Sequence, residues 1–191
     1  MVSDESKQEE LQIARVQRPQ QVVAWRASFV GAYQTIFSEP PYNERFYPSE
    51  AQGVLQRSLQ TPGNITLFAV RGRASVVGFG FAVPLASRPA VARHMHGLLP
   101  VEHTFYLAEL GVLNSWRGHG LGGRLIEERL RLIDRDRYSH VVLRTSATRH
   151  AAYELYANQG FEDIGVYMEV SSRRVDGSVS TDRRLFLSKV L

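Results

Sequence analysis

FYLAELGVLNSWRGHGLGGRLIEERLRLI, residues 105–133, decides how the rest of the chain is read. Residues 105–113 are an apolar run with aromatic and branched side chains, the composition of a strand. Asn114, Ser115, Trp116 and Arg117 follow, and then Gly118, Gly120, Gly122 and Gly123 crowd into six positions. Leu121, Leu125, Ile126, Leu130, Leu132 and Ile133 recur at helical spacing, with Arg124, Glu127, Glu128, Arg131 and Arg135 on the other face. The order is strand, glycine-rich turn, helix. Such a turn delivers backbone amides to a helix N-terminus, where unpaired N–H groups and aligned peptide dipoles favour an anion.

Gly118, Gly120 and Gly123 also spell the dinucleotide fingerprint G-x-G-x-x-G. The context argues against it. Asn114 to Arg117 intervene between strand and glycines, and the ribose-binding acid expected about 20 residues on is missing. The next strand, from His140, presents Arg144 instead. Upstream, residues 65–70 and 75–83 are strand-like and joined by Arg71, Gly72 and Arg73, which predicts an antiparallel hairpin rather than a parallel unit. No Gly-Lys-Ser/Thr follows, so a phosphate loop of the Walker type fails as well.

Arg117-Gly118-His119-Gly120-Leu121-Gly122 resembles the Q/R-x-x-G-x-G/A signature of the GNAT superfamily of acyl-CoA N-acyltransferases. As in that family, a hydrophobic strand ending in Val112-Leu113-Asn114 precedes it. Downstream, AAYELYANQGF over residues 151–161 is similar to the family's second motif, a short helix carrying Leu-Tyr and ending in Gly-Phe. The resemblance implies a single α/β (α+β) domain, with a mixed, mostly antiparallel twisted central sheet flanked by helices. It implies acetyl-CoA as co-substrate and an amine acceptor. The pyrophosphate would lie on Arg117, Gly118, His119, Gly120, Leu121, Gly122 and Gly123, and the pantetheine arm along Leu110 and Val112. The Val112 amide would polarise the thioester carbonyl. Tyr156 matches the tyrosine that acts as general acid toward the leaving thiolate. Arg149 stands where the second motif often has asparagine, and is a candidate for a phosphate oxygen. Peptide-amine members often carry a glutamate on the strand that here ends in Arg144, which weakens a ribosomal-protein acceptor.

Magnitudes frame these roles. A phenol of pKa ~10 donating to a thiolate of pKa ~8.5 is uphill by about 1.5 units, or roughly 2 kcal/mol, so donation is concerted with collapse or amounts to hydrogen bonding. A primary amine of pKa ~10.4 is neutral in only about one molecule in two thousand at pH 7, so a base or water relay is needed. Glu109 is the first candidate base, with Tyr106 or His103 to position water. Simple alternation puts Glu109 on the face of Leu107, Gly111 and Leu113, with Ala108, Leu110 and Val112 opposite. In the loop SEPPYNERFYP, residues 38–48, Glu39, Tyr42, Glu44, Phe46 and Tyr47 suit a cationic amine with an apolar body.

Composition limits the alternatives. The chain has 191 residues, 43% hydrophobic and 22% charged, which suits one domain with a sizeable core over residues 10–191 behind a tail at 1–9. There is no cysteine, so disulfides, thiolate metal sites and an acyl-cysteine intermediate are excluded, and acyl transfer is expected to be direct. The polar N-terminus lacks an apolar leader and no stretch approaches a membrane span, which predicts a cytoplasmic protein with no membrane partner. The arginines behind the net charge of +4 are dispersed, without the basic stripe and interleaved aromatics of a nucleic-acid surface. Arg117, Arg124, Arg144 and Arg149 fall in the half expected to meet the coenzyme. His94 and His96 lack a third ligand at recognisable spacing, so no metal is expected. A homodimer is compatible with this reading.

The remaining elements are predicted as a strand over 11–16, helices over 20–37 and 49–59, and a loop over 84–102 bordering a substrate cleft. A strand over 140–145 and a helix over 148–158 stopped by Gly160 follow, then strands over 161–170 and 185–191 with a turn at Asp176-Gly177. The function expected is acetyl transfer to the primary amine of a small molecule by direct attack in a ternary complex. The rivals are a peptide or protein acceptor, a non-catalytic acyl-CoA sensor and, more remotely, a nicotinamide-binding fold.

Overall fold

The structure is a computed structural model that describes residues 11–148 and 151–191; the tail over 1–9 and Arg149 lie outside the described residues. The chain runs β1 (Leu11–Val16), α1 (Arg26–Ser38), α2 (Pro48–Gln60), β2 (Ile65–Arg71), β3 (Ser75–Pro84), α3 (Pro89–Ala92) and β4 (Thr104–Val112). It continues through α4 (Leu121–Leu132), β5 (His140–Ser146), α5 (Ala151–Asn158), β6 (Glu162–Arg173) and β7 (Val179–Val190). All seven strands join one sheet in the order β1-β2-β3-β4-β5-β7-β6. Every neighbouring pair is antiparallel except β4 with β5. This is the mixed, mostly antiparallel sheet flanked by helices that the resemblance implied, and β2 and β3 form the expected hairpin.

Both faces of the sheet are covered, which is why β2 is buried over ITLFAV. Leu67 and Ala69 face the cluster that receives Leu121, Leu125, Ile126 and Leu130 of α4. Phe68 and Val70 face the opposite cluster, with Phe29, Tyr33 and Ile36 of α1 and Ala51 and Leu55 of α2. Alternation along one strand thus serves two helical layers.

Four expectations change. The helix expected over 20–37 is split into a short 3-10 turn, Pro19–Val22, and α1 from Arg26. Trp25 fixes the break: its indole N–H donates to the Arg73 carbonyl at 3.1 Å and its ring meets Phe68 edge-on. The loop over 84–102 lies away from the candidate site. Its Leu85, Val91, Ala92 and Met95 are buried against Tyr106, Val142 and Phe186, so it caps a core cluster instead of bordering a cleft. The last two strands are longer than expected, pairing from Arg173↔Val179 inward around the Asp176-Gly177 turn. Their outer halves, rich in Ser, Thr, Asp and Arg, pack against the loop after α1 on one side and are exposed on the other, so they carry no apolar alternation to betray them.

The fourth change concerns Glu109. Between Phe81↔Glu109 and Ala82↔Leu107 the register slips, leaving Ala108 as the extra residue of a β-bulge in β4. The extra residue reverses the alternation. Leu107 joins the α4-side core with Phe105, Leu110 and Val112, while Glu109 turns to the other face, in line with Tyr106 and Gly111.

Candidate active site

The glycine turn has the geometry that an anion requires. Gly118 and Gly120 have φ of +78° and +76°, a left-handed backbone that only glycine adopts without strain. A Cβ at either would meet nothing within 4 Å, so the turn opens to free space. Gly120 is the N-cap of α4, no side chain caps it, and the first helical bond runs from Arg124 N–H to Gly120 C=O. The amides of Leu121, Gly122 and Gly123 thus have no helical partner, and they and the helix dipole are available to a phosphate. Gly122 serves packing as well: a Cβ there would lie 2.9 Å from Leu155 Cδ2, so its absence lets α5 approach α4. The Leu121 side chain is buried in the core and anchors the helix start. His119 donates from Nδ1–H to the Arg117 carbonyl at 2.8 Å. Arg117 donates from Nε to Val112 C=O at 3.0 Å and pairs with Glu39 at 2.9 Å, tying the turn to the end of α1.

Behind the turn the sheet opens. β4 and β5 pair in parallel only as far as Leu107↔Leu143 and then part. Leu113 donates its N–H to Val77 C=O on β3, so alternation turns the backbone groups of Val112 and Leu110 to the opposite edge, along the gap. Beyond Leu107 this edge has no strand partner among the described residues, and an extended amide-bearing arm fits it alongside the Arg117 bond to Val112 C=O.

The gap leads into a cavity of about 460 Å³ whose lining includes Tyr33, Tyr42, Glu44, Phe46, Glu109, Leu110, Arg144, Tyr156 and Arg184. The bulge that reverses the alternation is what aims Glu109 there. Its remaining exposure is to the cavity, and burial raises its pKa to about 7; Arg144 opposes the rise, Glu44 adds to it, and a hydrogen bond from Tyr33, 3.5 Å away, also opposes it. A carboxyl so poised changes protonation near neutrality. Tyr156 comes from α5, whose C-terminus is fixed by Gly160 at φ +80°. Gly160 N–H bonds Ala157 C=O and Phe161 N–H bonds Tyr156 C=O, the two bonds of a Schellman stop. Burial raises the Tyr156 pKa well above that of a free phenol, against the nearby Arg129 charge. The hydroxyl therefore holds its proton tightly and favours hydrogen bonding over complete transfer.

Arg129 is the largest fully buried side chain. It donates from Nε to Leu125 C=O at 3.1 Å and from Nη1 to Phe81 C=O at 3.3 Å and Glu109 C=O at 3.0 Å. It thus fastens α4 to the bulge that aims Glu109, and a Cβ on Gly80 would stand 2.9 Å from its Nε. Burial lowers its pKa to about 10, leaving it charged at neutral pH, and its charge acts on both Tyr156 and Glu109. Helical spacing from Leu125 to Ile133 puts position 129 on the buried face, which is the mark of its burial in the sequence.

The loop 39–47 supplies the roof. Glu44 is buried and paired with Arg184 of β7, and the Arg184 guanidinium lies 4.8 Å over the Tyr42 ring. Arg45 N–H bonds Arg173 C=O and Val175 N–H bonds Asn43 C=O, so the loop is stitched to the β6–β7 hairpin. Among the acidic residues expected to receive a cationic amine, Glu44 is matched by Arg184 and Glu39 by Arg117. Tyr106 is buried beside Val142 and Phe186 and does not line the cavity. His103 is exposed, bonded from Nδ1 to Arg137 C=O. Arg144, expected in the half that meets the coenzyme, lines the cavity with Glu109. Tyr33, Arg129 and Arg184, none of them singled out from sequence, complete the surroundings.

The acetyltransferase (GNAT) family model matches residues 24–161. No curated sequence matches the chain at a significant level. Among solved structures, the ribosomal-protein-alanine N-acetyltransferase of Brucella melitensis superposes with a TM-score of 0.68 at 19% identity, covering 95% of this chain and 100% of that one. NAA60 of Arabidopsis thaliana, solved in complex with acetyl-CoA, gives 0.65 at 16%, covering 95% and 99%. A GCN5-related N-acetyltransferase of Kribbella flavida gives 0.60 at 20%, covering 95% and 98%. The likenesses in structure carry the fold, the family match spans both motifs and most of the length, and the chain accordingly belongs to the GNAT acetyltransferase family and is an acetyl-CoA-dependent N-acetyltransferase.

Proposed function

We propose that the acceptor is the primary amine of a small molecule, acetylated by direct attack in a ternary complex. In this account the coenzyme pyrophosphate rests on the turn from Arg117 to Gly123, with Gly118 and Gly120 supplying the bend and Leu121, Gly122 and Gly123 the amides. The arm follows Leu110 and Val112 into the gap. The amine enters the cavity as ammonium, gives a proton to Glu109, and its nitrogen bonds to the thioester carbon. The C–S bond breaks as the carbonyl reforms, Tyr156 hydrogen-bonds the departing thiolate, and the second proton of the attacking nitrogen passes through water to that sulfur, leaving an amide and a free thiol. The absence of cysteine supports direct transfer. The observation that carries the account is that Glu109 and Tyr156, from two different elements, meet on the walls of one cavity at the end of the strand gap.

The roof supports a small acceptor over a peptide. With residues 43–45 bonded to the β6–β7 hairpin, the cavity has a closed side where a passing chain would need an open groove. Thiol release from acetyl-CoA, followed with small primary amines and with peptides of increasing length, tests this. Turnover is expected to be fastest with small amines and to fall with length; faster turnover of peptides overturns the small-molecule assignment.

A further inference from the structure

The charges around the cavity bear on what else the acceptor carries. Arg45, Arg144, Arg173 and Arg184 line it, against Glu44, Glu50 and Glu109. Most of these are satisfied by one another. Arg184 is paired with Glu44 and lies 3.3 Å from Asp182. Arg173 lies 3.7 Å from Glu50 and 4.9 Å from the centre of the Tyr47 ring, and Arg45 lies over the same ring at the exposed rim. Arg144 is different. It forms no ion pair with any described residue, and its Nη1 donates to the Met168 sulfur at 2.9 Å, a weak acceptor for a strong donor. This half-buried guanidinium faces Glu109 and Tyr106 electrostatically, and its charge opposes the rise in pKa that burial causes in both.

Resting on the acetyltransferase account above, we propose that the acceptor amine bears its own carboxylate, which Arg144 receives, so that the substrate class is an amino acid. The arrangement alternates in sign. Arg144 is positive, the carboxylate negative, the ammonium positive and ionised Glu109 negative, so every bound charge has an opposite neighbour and none is buried alone. A guanidinium offers a planar pair of donors to a carboxylate, which suits Arg144 better than the thioether it now contacts. Both charges line the one cavity, as a single small acceptor requires. Arg144 and Glu109 lie just beyond the last β4–β5 pair, Leu107↔Leu143, on the two edges that have begun to part. A diamine would set a second cation against Arg144, and a simple alkylamine would leave it with the sulfur alone. None of the residues from Arg117 to Gly123 lines the cavity, so Arg144 belongs to the acceptor end rather than to the pyrophosphate.

The test compares matched acceptors in a thiol-release assay at saturating acetyl-CoA. Each triple consists of a free amino acid, its carboxamide and its decarboxylated amine, built on phenylalanine, leucine and methionine, with kcat/KM expressed per ammonium form, the species that binds. In the best triple the acid is expected to exceed the amide by about tenfold or more, the scale of a charge-assisted bond. Arg144→Gln is expected to shrink that ratio to within about twofold, and Arg144→Lys to keep part of it. The ratio is internal to each preparation, so a lowered folded fraction cancels. Amides or decarboxylated amines that match the acids in the unmodified protein overturn the proposal, as does an unchanged ratio in Arg144→Gln. Thiol release without preference for acids removes this inference alone. No release with any amine removes the acetyltransferase account and this inference with it.

Discussion

At Glu109 stability and the proposed base role pull in opposite directions. Burial raises its pKa to about 7, above the ordinary 4.5, because the charged form is poorly solvated in the cleft. The folded state therefore prefers the protonated form. Its stabilising contribution is present below about 4.5 and is lost as pH rises through about 7. The base role needs the other form. With the ammonium as bound substrate, kcat/KM rises with pH through about 7 as Glu109 ionises, then falls as the free amine, of pKa ~10, loses its proton. Glu109→Gln removes the lower limb and lowers kcat by about 10²–10⁴, the usual contribution of a general base. The same variant is expected to melt above the unmodified protein at pH 8, because no carboxylate remains to be desolvated. A retained lower limb near 7 in Glu109→Gln takes the base role from this residue.

At the scale of elements, the turn before α4 concentrates the risk. Gly120 has φ of +76°, and an L-residue there costs roughly 1–2 kcal/mol. Gly120→Ala should lower Tm by about 2–8 °C in calorimetry and weaken acetyl-CoA binding, since the caps and amides shift together. Unchanged affinity would show that the pyrophosphate lies elsewhere. Much of this element was legible in the chain itself. The glycine spacing, the apolar run before it and the periodic face after it give strand, turn and helix with bounds close to Thr104–Val112 and Leu121–Leu132. The bulge was not legible, because Ala108 carries no mark of an extra residue, and without it Glu109 is assigned to the face of Leu107. Arg129 stood on the buried row between Leu125 and Ile133, yet charge argues for a surface until the carbonyls of Phe81 and Glu109 are seen to need a donor.

Across the whole molecule, the site depends on contacts between segments far apart in sequence. Glu44 and Arg184 lie 140 residues apart and hold the loop after α1 against β7. Removing one partner of a buried pair leaves the other uncompensated, which costs about 3 kcal/mol or more. Glu44→Gln is therefore expected to lower Tm and to speed hydrogen exchange in residues 39–47 and 173–178 before the sheet; uniform protection would show the roof to be independent of the pair. Such long-range pairing could not be read from local pattern. The motifs at 117–122 and 151–161 mark the glycine turn and Tyr156 in the sequence, whereas the rest of the cavity wall is assembled from α1, the roof, β4, β5 and β7, whose side chains meet only on folding. Initial velocities with acetyl-CoA and the amine varied together test the central claim most directly. Lines that intersect in double-reciprocal form, with no thiol release unless both substrates are present, are the result that direct attack in a ternary complex predicts. Parallel lines, or thiol release that ignores the amine, would contradict it.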